Sequence, residues 1–183
     1  MHKEGDALLI QQPVYYPFRE VIEDNGRIFV NNQLHYEDGK YTIDFEDFEK
    51  KIVDNNVKVF ILCNPHNPVG RVWTKEELEK MGDICLKHNV VIMDDEIHCD
   101  FTYPGFKFTS FMTLDEKYHN SLVLYTSPSK TFNVAGLQPA NIIIKNPELR
   151  AAYRKANAAA GYSQGSIMGQ VAVKSVYTKG DEW

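Results

Sequence analysis

The sequence predicts an α/β fold built on a mostly parallel sheet, and three observations carry that expectation. Apolar runs of strand length alternate with amphipathic stretches of helical period along most of the chain. The intervals between runs are long enough for crossover helices, which parallel neighbours require. Three of the runs also stop abruptly in polar residues. Val59-Phe60-Ile61-Leu62-Cys63 ends in Asn64-Pro65-His66-Asn67, Val90-Val91-Ile92-Met93 in Asp94-Asp95-Glu96, and Val123-Leu124-Tyr125-Thr126 in a turn that leads to Lys130. In an open parallel sheet the carboxyl ends of the strands share one edge, and ligands bind there.

Taken in order, residues 7–11 form a short strand and residues 18–24 a short helix that Asn25-Gly26 stops. A second strand covers 27–31. Asp44 caps a helix with Phe45, Phe48 and Ile52 on one face, and a strand over 57–63 follows. Thr74-Lys75-Glu76-Glu77 is a capping box: the hydroxyl and the carboxylate three residues on satisfy free amides at a helix start. Leu78, Met81, Ile84 and Cys85 form that helix's apolar stripe. After a strand over 90–93, the aromatic and Gly/Pro-rich segment 101–111 reads as a loop over the sheet edge. Strands over 121–126 and 141–145 come next. Asn146-Pro147 opens a helix as N-cap plus first-turn proline, running to about Ala160, and a last helix spans Gln164 to Thr178 before Gly180. The chain shows no internal repeat, linker or low-complexity tract, and reads as one domain or one piece of a larger one.

Composition narrows the partners. The chain has 183 residues, 43% of them hydrophobic, enough for a sizeable core. A formal charge of −5 without a Lys/Arg cluster argues against nucleic acid or an anionic membrane, since both need a basic face. A small molecule is the expected partner. Cys63, Cys85 and Cys99 are odd in number and lack a CxxC spacing, which reads as free thiols of a reduced cytosolic protein. No apolar stretch approaches the roughly 20 residues of a membrane span, and the amino end lacks a signal-peptide pattern, so the expected location is cytoplasmic.

Three side chains stand out at the shared edge. Alone, Lys130 reads as a solvated surface lysine. Its setting is different: Ser127 and Ser129 precede it, and Thr131 to Leu137 form a small-residue turn able to bring hydroxyls and amides to a phosphate. Asp95 lies within three consecutive carboxylates that repel one another unless a cation sits there. Solvated acids at a turn are the plain account. A metal site with His98 and Asp100 is a rival, weakened by the lack of a second cluster with ligand spacing. The segment 64–70 holds two Asn-Pro steps and a glycine; a rigid turn explains it in part, and such stiffness can hold the Asn67 amide fixed. An amine able to form an imine, a carboxylate for a cationic ring nitrogen and an amide for a phenolic oxygen together suit pyridoxal 5′-phosphate (PLP).

The combination Asn-Pro-His-Asn-Pro-Val-Gly (64–70), Asp-Glu-Ile-His (95–98) and Ser-Pro-Ser-Lys-Thr-Phe-Asn (127–133) resembles the class I/II aminotransferases of PLP-dependent fold type I, over almost the whole chain. The resemblance implies a three-layer α/β/α large domain, of which residues 1–183 are the central part, without the amino-terminal segment and the carboxy-terminal small domain. It implies that Lys130 holds PLP covalently and carries the substrate's α-proton, that Asp95 pairs with the pyridine nitrogen and that Asn67 reaches the phenolic oxygen. Ser127 is similar to a phosphate-binding hydroxyl, and Tyr15 to a ring stacked on the cofactor. Two positions depart from the common pattern: His98 stands where many members have tyrosine, and Gln138 where an arginine clamps phosphate. Asp-Glu-Ile-His with Lys-Thr-Phe-Asn-x-Ala-Gly-Leu-Gln looks more like the cystathionine β-lyase branch. The expected parent is a homodimeric carbon–sulfur β-lyase acting on an amino-acid substrate. The alternatives are an aminotransferase and a non-catalytic aminotransferase-like binding module.

Overall fold

The computed structural model describes residues 3–162 and 165–183. The chain runs through β1 (Ala7–Ile10), α1 (Pro17–Asp24), β2 (Ile28–Asn31), β3 (His35–Glu37), β4 (Lys40–Thr42), α2 (Phe45–Asp54) and β5 (Val59–Cys63). It continues through α3 (Lys75–Lys87), β6 (Val91–Asp95), β7 (Leu122–Thr126), β8 (Asn141–Ile143), α4 (Pro147–Ala159) and α5 (Ile167–Lys179). Six strands form one sheet in the order β2-β1-β5-β6-β7-β8, while β3 and β4 make a separate hairpin. Pairing is parallel from β2 to β7 and antiparallel between β7 and β8.

Period-2 alternation along the strands feeds two cores. On one face Leu9, Phe60, Leu62, Ile92 and Leu122 meet Phe48 and Ile52 of α2 and Leu78, Met81 and Cys85 of α3. On the other, Leu8, Ile10, Val59, Ile61 and Cys63 meet Ile22 of α1. Each fully buried Leu, Ile or Phe contributes about 1.5–3 kcal/mol of burial, so both helical layers are held by their apolar stripes. The result is the three-layer α/β/α arrangement expected from the sequence. Gly82 lets the 3₁₀ segment Glu116–Ser121 close on α3, because a Cβ there would sit 2.6 Å from Tyr118 Cε1.

The route of the chain creates a switch point. From β1 it passes through α1 on one face to β2, then returns through α2 on the opposite face to β5. The segments leaving β1 and β5 therefore diverge, and a crevice opens between them at the carboxyl edge.

Local signals read from the sequence recur as atoms. Asp44 Oδ1 accepts from the Glu46 and Asp47 amides at 3.0 and 2.9 Å. The capping box closes both ways, Glu77 N donating to Thr74 Oγ1 at 3.2 Å and Thr74 N to Glu77 Oε2 at 2.8 Å. Asn146 Oδ1 accepts from Glu148 N and Leu149 N at 2.9 and 3.1 Å. Several bounds shift by one or two residues, β5 beginning at Val59 and β8 ending at Ile143 among them. β6 runs on through Asp94 and Asp95, because Asp94 packs inward rather than into water. The β3–β4 hairpin was not anticipated. The last helix starts at Ile167, capped by Ser166, whereas its expected start at Gln164 falls outside the described residues.

Candidate active site

The ends of β5, β6 and β7 are aligned: Cys63 pairs with Asp95, and Asp95 with Tyr125. The turn bearing Asn67, the strand end bearing Asp95 and the turn bearing Lys130 thus start from one line, on strands about 4.8 Å apart. Alternation along β6 sends Asp94 to the α2/α3 face with Ile92, and Asp95 to the α1 face with Met93.

Asp95 is half-buried, and its Oδ1 accepts from Ile97 N at 3.1 Å. Burial lifts its carboxyl above the ordinary value; the Ile97 amide and the charges of His98 and Lys130 pull it back. The His98 imidazole is pushed down by burial, with Asp95 opposing and Lys130 reinforcing. Its ring stands edge-on to Phe101 at 6.0 Å.

Lys130 is exposed at the first turn past β7. The turn is closed by Phe132 N donating to Pro128 O at 2.9 Å and Val134 N to Ser129 O at 3.0 Å. Thr131 Oγ1 donates to Asp100 Oδ2 at 2.6 Å and so ties the lysine turn to the segment after His98. Ser127 and Ser129 are buried. Ser127 Oγ donates to Pro139 O at 2.5 Å, and the two serine hydroxyls bond each other at 2.5 Å. The Ser127 hydroxyl thus bonds within its own turn.

Asn67 is half-buried on a turn built from the inside. Its backbone N–H donates to Cys63 Sγ, whose thiol in turn donates to Pro65 O, both at 3.4 Å. Burial holds that thiol protonated, pushing it up to about 12. Trp73 Nε1 donates to Cys63 O at 3.0 Å, and His66 N to Arg71 O at 2.7 Å. Asn67 and His98 line one cleft of about 870 Å³ together with Lys40, Tyr41, Phe101 and Tyr103. Tyr15 lies across the switch point on the segment after β1, 44% exposed and edge-on to Phe18 at 5.8 Å.

Asn67, Asp95, His98 and Lys130 are thus brought to one rim. Tyr15 stands on the neighbouring segment after β1, and Ser127 is buried in the turn that carries Lys130. Sequence reasoning did not single out Cys63, His66, Trp73 and Asp100 as supports of this rim. The available signal was their place inside or next to the Asn-Pro and Asp-Glu motifs. Among the described residues no three His, Cys, Asp or Glu side chains gather as a metal site, and no helix is long and apolar enough to cross a membrane.

A parallel sheet with an amine, a carboxylate and an amide on three adjoining strand ends defines a class of protein. Residues 1–182 match the model of that class, described as Aminotransferase class I and II, and the chain belongs to this family. Within it the chain is 44% identical over 179 residues to cystathionine beta-lyase PatB of Bacillus subtilis, covering 98% of this chain and 46% of that protein. It is 33% identical to protein MalY of Escherichia coli, over 98% of this chain and 45% of that one. Among solved structures, cystalysin from Treponema denticola, which contains a pyridoxal 5′-phosphate cofactor, superposes with a TM-score of 0.95 at 42% identity. That match spans 99% of this chain and 46% of that one. The chain spans about half the length of the relatives it matches.

Proposed function

We propose that this chain is the cofactor-gripping centre of a PLP-dependent carbon–sulfur β-lyase that acts on cystathionine or a cysteine conjugate. The single observation that carries the reading is the alignment of the ends of β5, β6 and β7, which brings Asn67, Asp95 and Lys130 to one sheet edge. The donor set fits the cofactor. A cationic ring nitrogen beside Asp95 would favour its carboxylate form, opposing the lift from burial. The Asn67 amide, fixed by its turn, and the His98 ring offer donors to a phenolic oxygen. Lys130 supplies the amine for the carbonyl. PLP, when bound, supplies an electron sink for the α-carbon. With PLP held there, Lys130 would take the α-proton and return it to the leaving thiolate, and Asp95 would keep the ring nitrogen protonated; with water taken up, the other products would be pyruvate and ammonia.

The lyase names of the relatives most similar in sequence support this choice over amino transfer. Amino transfer is the second reading, favoured by transaminases that also match the chain, among them the probable kynurenine–oxoglutarate transaminase BNA3 of Saccharomyces cerevisiae at 31% identity. The same reading makes residues 1–183 the central part of a large domain. It assigns cofactor contacts to Tyr15, Asn67, Asp95, His98, Ser127 and Lys130, and describes the intact protein as a cytoplasmic homodimer.

Two measurements test it. PLP added to the purified chain should give a yellow species that borohydride fixes on Lys130, and Lys130→Ala should abolish it; a fixed adduct elsewhere overturns the lysine assignment. The intact protein should release pyruvate and thiol from cystathionine with no keto acid added. Strict dependence on a keto acid selects the transaminase.

A further inference from the structure

The switch-point crevice is spanned by one buried ring. His66 is 2% exposed, and its Nε2 lies 3.1 Å from Pro13 O, on the segment that carries Tyr15 two residues on. A carbonyl can only accept, so this nitrogen bears the hydrogen and donates. The ring cannot swing away. Its own backbone is pinned on both sides, His66 N donating to Arg71 O at 2.7 Å and Gly70 N to His66 O at 2.9 Å. The indole of Trp73 stands edge-on against it at 5.3 Å, and that indole is covered in turn by the Arg71 guanidinium at 4.7 Å. Asn67 is the next residue along the same turn.

Below the edge the two segments share the sheet and one core, Leu9 pairing with Phe60 and Val14 packing in the cluster that holds Cys63; at the edge the His66 bond ties one segment directly to the other. Each is anchored to its own side: Gln12 N donates to Asn31 Oδ1 at 3.0 Å and Leu34 N to Gln12 O at 2.9 Å, toward β2. The Asn67 turn is anchored to Cys63 of β5. Their helices leave to opposite faces of the sheet, so above that shared core the helices do not set the spacing of the two turns. We propose that His66 is a positioning residue, a latch across the switch point that fixes the Tyr15 ring relative to the Asn67 amide. The two then close on the cofactor ring as a preset pair. This rests on the reading of the site as a PLP site. Burial pushes the imidazole down to about 4, so the latch stays neutral at physiological pH. Its Nδ1 has no partner among the described residues, so a side chain with one correctly placed donor can replace the ring.

The test compares His66→Phe and His66→Met, which remove the donor, with His66→Gln, which keeps one. The first readout needs no cofactor. Amide hydrogen exchange over residues 12–16, read at the Gln12 N–H that Asn31 Oδ1 holds, should quicken about tenfold in His66→Met and His66→Phe, and stay near wild type in His66→Gln, with the core strands unchanged; a tenfold change is the loss of one hydrogen bond. The second is the PLP dissociation constant of the purified chain. It should rise about tenfold in the donor-less variants, return to within about threefold in His66→Gln, and rise no further when Tyr15→Ala is added to His66→Met. Unchanged exchange at 12–16 in a folded donor-less variant overturns the latch. Additive effects of Tyr15→Ala and His66→Met overturn its action through Tyr15. A wild-type chain that takes up no PLP while exchange responds as expected keeps the latch and overturns the cofactor reading instead.

Discussion

Asp94 and Asp95 are neighbours in one strand with opposite roles, because the pleat turns their carboxyls to opposite faces. Asp95 looks to the rim. Asp94 is fully buried, faces Glu96 and Asn64, and neither of its oxygens has a donor among the described residues. Glu96 Oε1 already accepts from Phe111 N at 2.9 Å, and the Asn64 amide donates to Thr109 O at 3.1 Å. A proton on Asp94 resolves the clash of acceptors, and burial followed by the nearby Glu96 charge raises its carboxyl well above 3.8. A folded-state value above the unfolded one means stability that is complete in acid and lost as pH rises from the ordinary carboxylate range toward the raised value. The melting temperature should therefore decline as pH is raised above about 5. Asp94→Asn, neutral at every pH, should flatten that decline; an equally steep decline in the variant would show that the proton resides elsewhere. The acidic triplet was visible in the sequence, but the sharing of roles within it was not, since strand parity decides it and the strand had been ended two residues early.

At the scale of elements, α3 shows how far local chemistry specifies structure. Its capping box and apolar stripe are legible in the sequence, and both recur in the fold. Gly82 in its middle is not legible, because its reason is a neighbour 36 residues away. A Cβ there would meet Tyr118 Cε1 at 2.6 Å and Phe111 Cζ at 3.0 Å, two rings that pack edge-to-face on each other. Alanine improves helix propensity by about 1 kcal/mol, while overpacking a rigid aromatic pair costs about 1–3 kcal/mol. Gly82→Ala should therefore lower the urea midpoint, by a net of about 1 kcal/mol, and a gain in stability would mean that the 3₁₀ segment yields. The β3–β4 hairpin was missed for a different reason. Asp38-Gly39, with φ of 49° and 80°, is the turn signal, but strands of three residues leave little alternation to read.

For the whole molecule, the alternation of elements, the parallel sheet and the gathering of Asn67, Asp95 and Lys130 at one edge could be read from spacing alone. The turns behind them could not, because Cys63 Sγ, Trp73 Nε1 and the Pro139 carbonyl are ordinary groups until the chain brings them near. The edge itself depends on strand count rather than on loop length. The connections between β5, β6 and β7 can lengthen or shorten while the strand ends keep their separation. Removing a single residue inside β6, such as Ile92, does the reverse. It inverts the parity of everything downstream in the strand, so the deletion should abolish PLP uptake even where the chain still folds, as a visible spectrum would show.

The alignment of Cys63, Asp95 and Tyr125 across three strands therefore works as an address written in odd and even positions. Point substitutions edit what stands at an address. A frameshift of one within a strand delivers the wrong acid to the right place, which leaves such a protein free to vary in its connections and unable to drift in its sheet.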